Sequence, residues 1–379
     1  MQERFEWIAT AAFGLEGVVS RELSRLGIEA KAENGGARFQ GTYEDAMRAN
    51  LWLRSADRVL LVVGRFEARS FEALFEGVKA LPWEQFIPKD ARFPVNGKCA
   101  RSQLMSVRDC QAITKKAIVE RLKERYRLSW FEESAETVSI DVALHGNIAQ
   151  LTLDASGVAL NRRGYRTWNG EAPLRETLAA ALVSLSPWRP GQRLHDPMCG
   201  TGTLMIEAAM QMANRAPGLT REFALETWRN VPRETFAGIR EEAQAAFEPD
   251  RIEGISGSDI DPEAVELANR HLKQAGLAGR VSFTVADARS CQLEGDRGAF
   301  LCNPPYGERL SDRKACEELY HEMGMLLRRH PGFTLSAITS HPGFERCFGR
   351  RADKQRRFYN GRLECEFMTF GLPAQKKKK

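Results

Sequence analysis

The sequence predicts two architectures in series: a mixed α+β region at the N-terminus, then an α/β domain whose parallel sheet ends in an antiparallel hairpin. Three observations carry this. From Gln192 onward the chain repeats strand, Gly- or Pro-marked turn and helix, the pattern of a parallel sheet covered by helices. Near the C-terminus, Arg357-Phe-Tyr-Asn-Gly-Arg-Leu-Glu-Cys-Glu-Phe-Met-Thr-Phe370 places Asn360-Gly361 between two strand-like runs, the signal of a tight antiparallel turn. Before residue 155 the elements are short and mixed, with no such alternation.

Taken in order, Phe5 to Thr10 reads as a strand, Leu15 to Leu26 as a helix, and Gly35-Gly36 as a turn before the strand Ala37 to Gln40. Tyr43 to Leu53 and Phe71 to Leu81 have amphipathic helical spacing and flank the strand Val59 to Phe66. A basic helix, Asp109 to Arg127, precedes a hairpin of Val138 to Ala143 and Ile148 to Leu153 turning at His145-Gly-Asn147. In the second region, strands at Arg193 to His195, Gly254 to Ile260, Val281 to Val285, Ala299 to Cys302 and Thr334 to Thr339 alternate with helices at Leu204 to Ala213 and Glu263 to Ala275. Ligands of such sheets sit at the carboxyl ends of the strands. Residues 216 to 250, with Phe223, Trp228 and Phe236, form a helical insertion to which no chemistry attaches. A parallel sheet closed by an antiparallel pair resembles class I (Rossmann-like) methyltransferases, and nicotinamide-binding Rossmann domains usually lack that pair.

Composition narrows the function classes. The chain has 379 residues, 43% of them hydrophobic and 28% charged, values of an ordinary globular protein. It contains no apolar run of the ~18 residues that a membrane span requires. The start, Met-Gln-Glu-Arg-Phe-Glu, has no signal-peptide apolar core, which predicts a cytoplasmic protein with no membrane partner. Eight cysteines are scattered without a Cys-x-x-Cys pair, so reduced thiols are expected and no metal site. The net charge is only +5, yet residues 91 to 131 hold ten Lys or Arg against Asp109, Glu120 and Glu124, and residues 346 to 362 hold seven against Asp353. Two basic clusters on a near-neutral chain fit a polyanionic partner. No obligate protein partner is indicated.

Two motifs carry chemistry. Asp196-Pro-Met-Cys-Gly-Thr-Gly-Thr203 follows the first strand of the alternating region, and Asn303-Pro-Pro-Tyr306 follows another strand about a hundred residues later. Gly200 and Gly202 let the backbone turn sharply beside a ligand, and the next helix opens with unpaired N–H groups. A phosphate loop requires Gly-Lys-Ser/Thr, but Gly202 is followed by Thr203 and Leu204. A dinucleotide fingerprint requires a small residue where Met205 stands. The remaining ligand for the turn is S-adenosylmethionine, which has no phosphate. Asp196 is placed for its ammonium or sulfonium side, with Met198, Thr201 and Thr203 completing the turn. Asp259, at the end of the second strand, is expected on the ribose hydroxyls and Ile260 on the adenine. Asp261 before Pro262 reads as a helix cap. Asp287, followed by Ala288, is expected either at the adenine amino group or as a strand-end cap.

The second motif suits a planar amine. Methyl transfer is an in-line displacement, and alignment alone contributes roughly 7 to 11 kcal/mol. The lone pair of an exocyclic base amine is conjugated with its ring, so two acceptors gripping its hydrogens pull the nitrogen toward a tetrahedral shape. The Asn303 side-chain oxygen and the Pro304 carbonyl are those acceptors, each worth roughly 3 to 4 kcal/mol. Pro304 and Pro305 stiffen the loop. Tyr306 offers a face to an extruded base, a contact of roughly 1 to 3 kcal/mol.

With Asn161-Arg-Arg-Gly-Tyr-Arg166, Glu171-Ala-Pro-Leu-Arg-Glu-Thr-Leu-Ala-Ala180, His195 to Thr203, Gly257-Ser-Asp-Ile-Asp-Pro262 and Asn303-Pro-Pro-Tyr-Gly-Glu308, the chain resembles the THUMP-containing RNA guanine-N2 methyltransferases. The likeness is to the bacterial RlmL type, acting on 23S ribosomal RNA, in a short form without a second methyltransferase domain. It implies a ferredoxin-like domain over residues 1 to 65, a THUMP RNA-binding domain over 66 to 155, a linker and donor-flanking segment over 156 to 190, the methyltransferase domain over 191 to 372, and a basic tail over 373 to 379. It also implies that Pro173, Leu174, Arg175 and Thr177 pack beside the methionine end of the donor. Lys98, Arg101, Lys115, Lys116, Arg162, Arg163 and Arg166 then become candidates for RNA phosphate contact, with a linker ion pair the competing reading of Arg162 and Arg163. The expected activity is methyl transfer from S-adenosylmethionine to guanosine N2 in RNA, 23S rRNA first and tRNA second. An adenine-N6 nucleic-acid methyltransferase and an RNA-binding assembly factor without catalysis stay open as further readings.

Overall fold

The computed structural model describes residues 3–166, 174–229, 231–307, 310–361 and 363–372. Its contacts divide the chain into two units, one of Met1–Ala11, Val19–Leu160 and Arg221–Glu242, the other of Ala12–Val18, Asn161–Thr220 and Ala243–Lys379.

In chain order the first part runs β1 (Phe5–Thr10), α1 (Glu16–Arg25), β2 (Ala30–Glu33), β3 (Gly36–Gly41), α2 (Tyr43–Trp52), β4 (Arg58–Glu67), α3 (Phe71–Lys79), β5 (Val95–Ala100), α4 (Val107–Tyr126), β6 (Ile140–His145) and β7 (Ile148–Asp154). One seven-stranded sheet, in the order β2-β3-β1-β4-β7-β6-β5, crosses this whole unit. The expected division between residues 65 and 66 falls inside β4, which pairs antiparallel with β1 on one side and β7 on the other. Local chemistry sets the ends of its elements. Thr42 and Asp45 form a reciprocal capping box at the start of α2, and Ser70 and Ser106 cap α3 and α4. The β6–β7 turn places Gly146 and Asn147 at φ 57° and 66°, the backbone that a two-residue hairpin demands.

Residues Arg221–Glu242 of the insertion that the sequence left without chemistry belong to this first unit. Leu225 N–H donates to the Ala155 carbonyl at 3.0 Å, and Arg229 pairs with Asp90 at 2.8 Å and with Glu136 at 3.2 Å.

The second part continues with α5 (Glu176–Leu185), β8 (Arg193–Asp196), α6 (Thr203–Met212), α7 (Arg233–Ala245) in the insertion, β9 (Ile255–Asp259), α8 (Pro262–Gln274), β10 (Ser282–Val285), β11 (Gly298–Cys302), α9 (Leu310–Arg329), β12 (Phe333–Thr339), α10 (Phe344–Phe348), β13 (Lys354–Asn360) and β14 (Leu363–Phe370). Its seven-stranded sheet has the order β10-β9-β8-β11-β12-β14-β13. Pairings from β10 to β12 are parallel, and β14 runs antiparallel to both β12 and β13. All residues of β11 are buried, as an apolar run in the middle of a helix-covered parallel sheet should be. The strand order reverses between β8 and β11, and a crevice opens at the carboxyl ends of strands where that happens.

Candidate active site

The donor turn leaves β8 at Asp196 and enters α6 at Thr203. Two glycines serve it for different reasons. Gly202, at φ 81°, has no room for a side chain, because a Cβ would lie 2.8 Å from the Phe283 ring and 3.0 Å from Ala268. Gly200, at φ 50°, would meet nothing within 4 Å, so its backbone borders open space where a ligand can approach. Gly200 N–H donates to Asp259 Oδ2 at 2.8 Å, and Asp261 N–H donates to Asp259 Oδ1 at 3.0 Å. Asp259 thus ties the turn to the end of β9, and each of its oxygens keeps a second lone pair for a ligand hydroxyl. His271 on α8 adds a third anchor, its Nδ1 lying 3.2 Å from the Thr201 carbonyl.

Asp196 is buried and accepts the Met198 N–H at 3.0 Å. Burial pushes its carboxyl well above the usual carboxylate range. A cation beside it would reverse that shift, and this fits the positively charged end of S-adenosylmethionine. Asp261 caps α8 through Glu263 N–H at 2.9 Å, with Pro262 at the first helical position. Asp287 takes the capping role of the two foreseen for it. It caps the short turn at Ala288, where Arg289 N–H and the Arg289 guanidinium donate to it and hold its carboxyl below the usual range. It also lines the crevice.

The acceptor loop leaves β11, which pairs directly with β8. Tyr306 Oη donates to Asn303 Oδ1 at 2.6 Å, and burial raises the pKa of that phenol. Pro304 is buried and Pro305 is exposed.

Both loops open into one cavity of about 1170 Å³. Met198, Gly200, Asp259 and Ile260 line it on the donor side with Asp287 and Ala288, while Asn303 and Pro305 line it on the acceptor side. Ile260 is 66% exposed, an unusual state for isoleucine that leaves its face available to a flat ring. Asp196, Thr201, Gly202, Thr203, Pro304 and Tyr306 support these walls without lining the cavity. Leu174 and Thr177 are buried, Arg175 is exposed at the start of α5, and Pro173 lies outside the described residues.

The opposite wall was not foreseen. It consists of α9 residues spaced one turn apart, including Lys314, Glu318 and Glu322, together with Arg346 and Cys347. Amphipathic spacing would have found the helix, but only the β11–β12 pairing brings it over the loop.

The basic residues divide. Lys98, Arg101, Lys116 and Arg162 are exposed. Lys115 is half-buried, its Nζ donating to the Phe93 carbonyl at 2.9 Å and pairing with Glu133. Two of the expected phosphate ligands are corrected by their surroundings. Arg163 is only 4% exposed and pairs at 3.3 Å with Glu207, a fully buried carboxylate that also accepts the Tyr165 hydroxyl at 3.2 Å. Arg166 donates to the Leu174 carbonyl at 2.9 Å and to Thr203 Oγ1 at 3.1 Å, and pairs with Glu176. A buried carboxylate requires a cation, and that requirement takes both arginines off the surface where RNA would be met.

A sheet reversing between two ligand-bearing strands, a glycine turn without phosphate chemistry and a facing Asn-Pro-Pro-Tyr loop define a class I methyltransferase that uses S-adenosylmethionine. Residues 163–369 match the family described as RMKL-like, methyltransferase domain, and the chain belongs to it. Residues 6–60 match the RlmL ferredoxin-like domain and residues 68–154 the THUMP domain. Among relatives, a Bacillus subtilis (strain 168) protein named "Putative RNA methyltransferase YpsC" is 40% identical over 100% of this chain and 98% of its own length. The "Ribosomal RNA large subunit methyltransferase K/L" of Syntrophotalea carbinolica is 34% identical over 99% of this chain, which spans 55% of that longer protein. The crystal structure of "SMU.472, a putative methyltransferase complexed with SAH" superposes with a TM-score of 0.94 at 40% identity, covering 99% of this chain and 100% of that one. No described helix is long and apolar enough to cross a membrane.

Proposed function

We propose that this enzyme transfers a methyl group to the N2 amine of a guanosine in RNA, with 23S ribosomal RNA as the substrate. The observation that carries the reading is the shared cavity, lined on one side by Gly200 and Asp259 and on the other by Asn303 and Pro305. RNA as the acceptor is supported by the THUMP match and by the names of the two relatives, one an RNA and the other a ribosomal RNA methyltransferase.

When bound, S-adenosylmethionine supplies an electrophilic methyl on a sulfonium. Asp259 and Ile260 hold the nucleoside part, and the Gly200 backbone admits the remainder. Asn303 Oδ1, on the cavity wall, would accept an amine hydrogen and so draw the nitrogen lone pair out of conjugation with the ring. The donor would supply the methyl to that nitrogen and leave as a neutral sulfide, and the amine would give up one proton to solvent. No strong base is needed, because the product sulfide is neutral and the protonated amine is acidic. Of the basic residues, Lys98, Arg101, Lys116 and Arg162 are the ones free to meet phosphates.

The test is to incubate the enzyme with labelled donor and total RNA from a strain lacking it, then digest and identify the nucleoside. Labelled N2-methylguanosine in the 23S fraction is the expected result. Label confined to N6-methyladenosine or to tRNA would replace the assignment.

A further inference from the structure

The acceptor loop has little backbone restraint, its side chains being held by the Tyr306–Asn303 bond within it and by Asn360 and Cys365 beside the Tyr306 hydroxyl. Pro304 and Pro305 have no N–H, and Pro304 to Gly307 take part in no loop-type backbone hydrogen bond among the described residues. Yet a loop that aligns a nucleophile must be held to within a fraction of an ångström. One hydroxyl outside the loop reaches it. Tyr320, on α9, has a fully buried side chain, and its Oη donates to the Pro305 carbonyl at 2.5 Å.

The ring that carries this hydroxyl cannot wander. Its centroid lies 4.6 Å from that of Phe344 and 5.3 Å from that of His341. Cys316 and Met323 belong to the same buried cluster, so the phenol is fixed by the core formed between α9, α10 and β12. Gly307 brings the far end of the loop onto the same helix: its φ is 68°, and a Cβ there would lie 3.1 Å from the Arg313 Cα. The loop is thus seated against α9, with the tyrosine hydroxyl as the directional contact. Tyr320 does not line the cavity and touches no substrate.

We propose that Tyr320 is the positioning residue of the acceptor site: by fixing the Pro305 carbonyl, it sets the direction in which the Asn303 side chain, two residues earlier on the cavity wall, faces the amine. This rests on the methyl-transfer reading given above. A competing explanation is that a buried phenol merely needs an acceptor for its proton. The two differ in what is lost when only the oxygen is removed. A satisfied core tyrosine would lose stability, whereas a positioning tyrosine would lose rate.

Tyr320→Phe keeps the ring and its packing, so the variant folds, and three quantities decide. S-adenosylhomocysteine affinity measured by calorimetry should stay within about twofold, because the Tyr320 hydroxyl bonds the acceptor loop and its ring packs on Phe344 and His341. The single-turnover methyl-transfer rate should fall roughly 10- to 100-fold, the cost of misplacing a reacting group by about an ångström. Backbone 15N order parameters at Tyr306 and Gly307 should fall as the loop is released. A rate within about twofold of the unaltered enzyme, or a loss matched by weaker donor binding, would overturn the proposal. The order-parameter measurement does not depend on the acceptor. If the unaltered enzyme methylates something other than RNA, the substrate assignment falls, while lowered order parameters still uphold the clamp and unchanged ones remove it.

Discussion

Replacing Asn303 by Ala is the most informative single perturbation, since its side-chain oxygen has two duties. It lines the cavity, and it accepts the Tyr306 hydroxyl at 2.6 Å. An amide oxygen has two lone pairs, so one bond to Tyr306 leaves one for the substrate amine. Loss of the catalytic duty should lower the single-turnover rate roughly 10²- to 10³-fold, about 3 to 4 kcal/mol. Loss of the structural duty removes one acceptor of the Tyr306 hydroxyl, at a cost of about 1 kcal/mol in stability, since Tyr306 is half-buried and Asn360 and Cys365 also reach it. The two effects separate by assay. Rapid-quench single-turnover kinetics reads the first, and denaturant unfolding reads the second. Tyr306→Phe is the control: it keeps the ring face, frees the Asn303 oxygen, and should hold the rate within about tenfold while lowering stability by a similar amount. Donor affinity should be unchanged in both, because Gly200 and Asp259 do not depend on Asn303. An Asn303→Ala enzyme with full activity would refute the assignment of that oxygen to the amine.

Further expectations concern other parts of the molecule. Arg163→Ala leaves the Glu207 carboxylate, fully buried, without its cation, and should destabilise the protein by about 3 to 5 kcal/mol in chemical denaturation; a loss below about 1 kcal/mol would mean the pair is not buried in solution. His195, whose ring nitrogens lie 2.8 Å from Ser256 Oγ and 3.2 Å from Ser258 Oγ, has its pKa lowered by burial to about 4. The unfolded chain therefore binds the proton first as pH falls, so the contribution of this group is intact above about pH 6.5 and declines toward pH 4, by on the order of 3 kcal/mol. Urea unfolding across that window should show stability falling with acidity, and His195→Asn should flatten the slope. Reversing Lys98, Arg101 and Lys116 to Glu should weaken RNA binding and reduce the salt dependence of log K by up to about 3, with donor binding unaffected; an unchanged salt slope would move the RNA to another surface.

Much of this molecule was legible where the physics is local. Asn360-Gly361 and Gly146-Asn147 announced their hairpins because few residues tolerate a positive φ. The strand and helix alternation after Gln192 announced a parallel sheet, and Asp261-Pro262 announced the start of α8. What stayed hidden depends on pairing across long sequence separations. Nothing in β4 says that it joins two expected domains into one sheet, because the β1 and β7 partners lie on either side of it in the chain. Arg166 looked like a surface cation and Arg163 was left between a phosphate contact and an ion pair, since the acids that bury them, Glu176 and Glu207, sit on helices whose inward faces only the folded sheet defines. Tyr320 was not singled out in the sequence at all. Its hydroxyl acquires meaning only beside the Pro305 carbonyl.

The most direct test of the central claim is the structure of this protein bound to S-adenosylhomocysteine. The account predicts the nucleoside across Asp259 and Ile260, with the sulfur turned toward Asn303 and no side chain between them. A ligand whose sulfur points away from the Asn-Pro-Pro-Tyr loop, or is walled off from it, would contradict a single in-line transfer in this cavity.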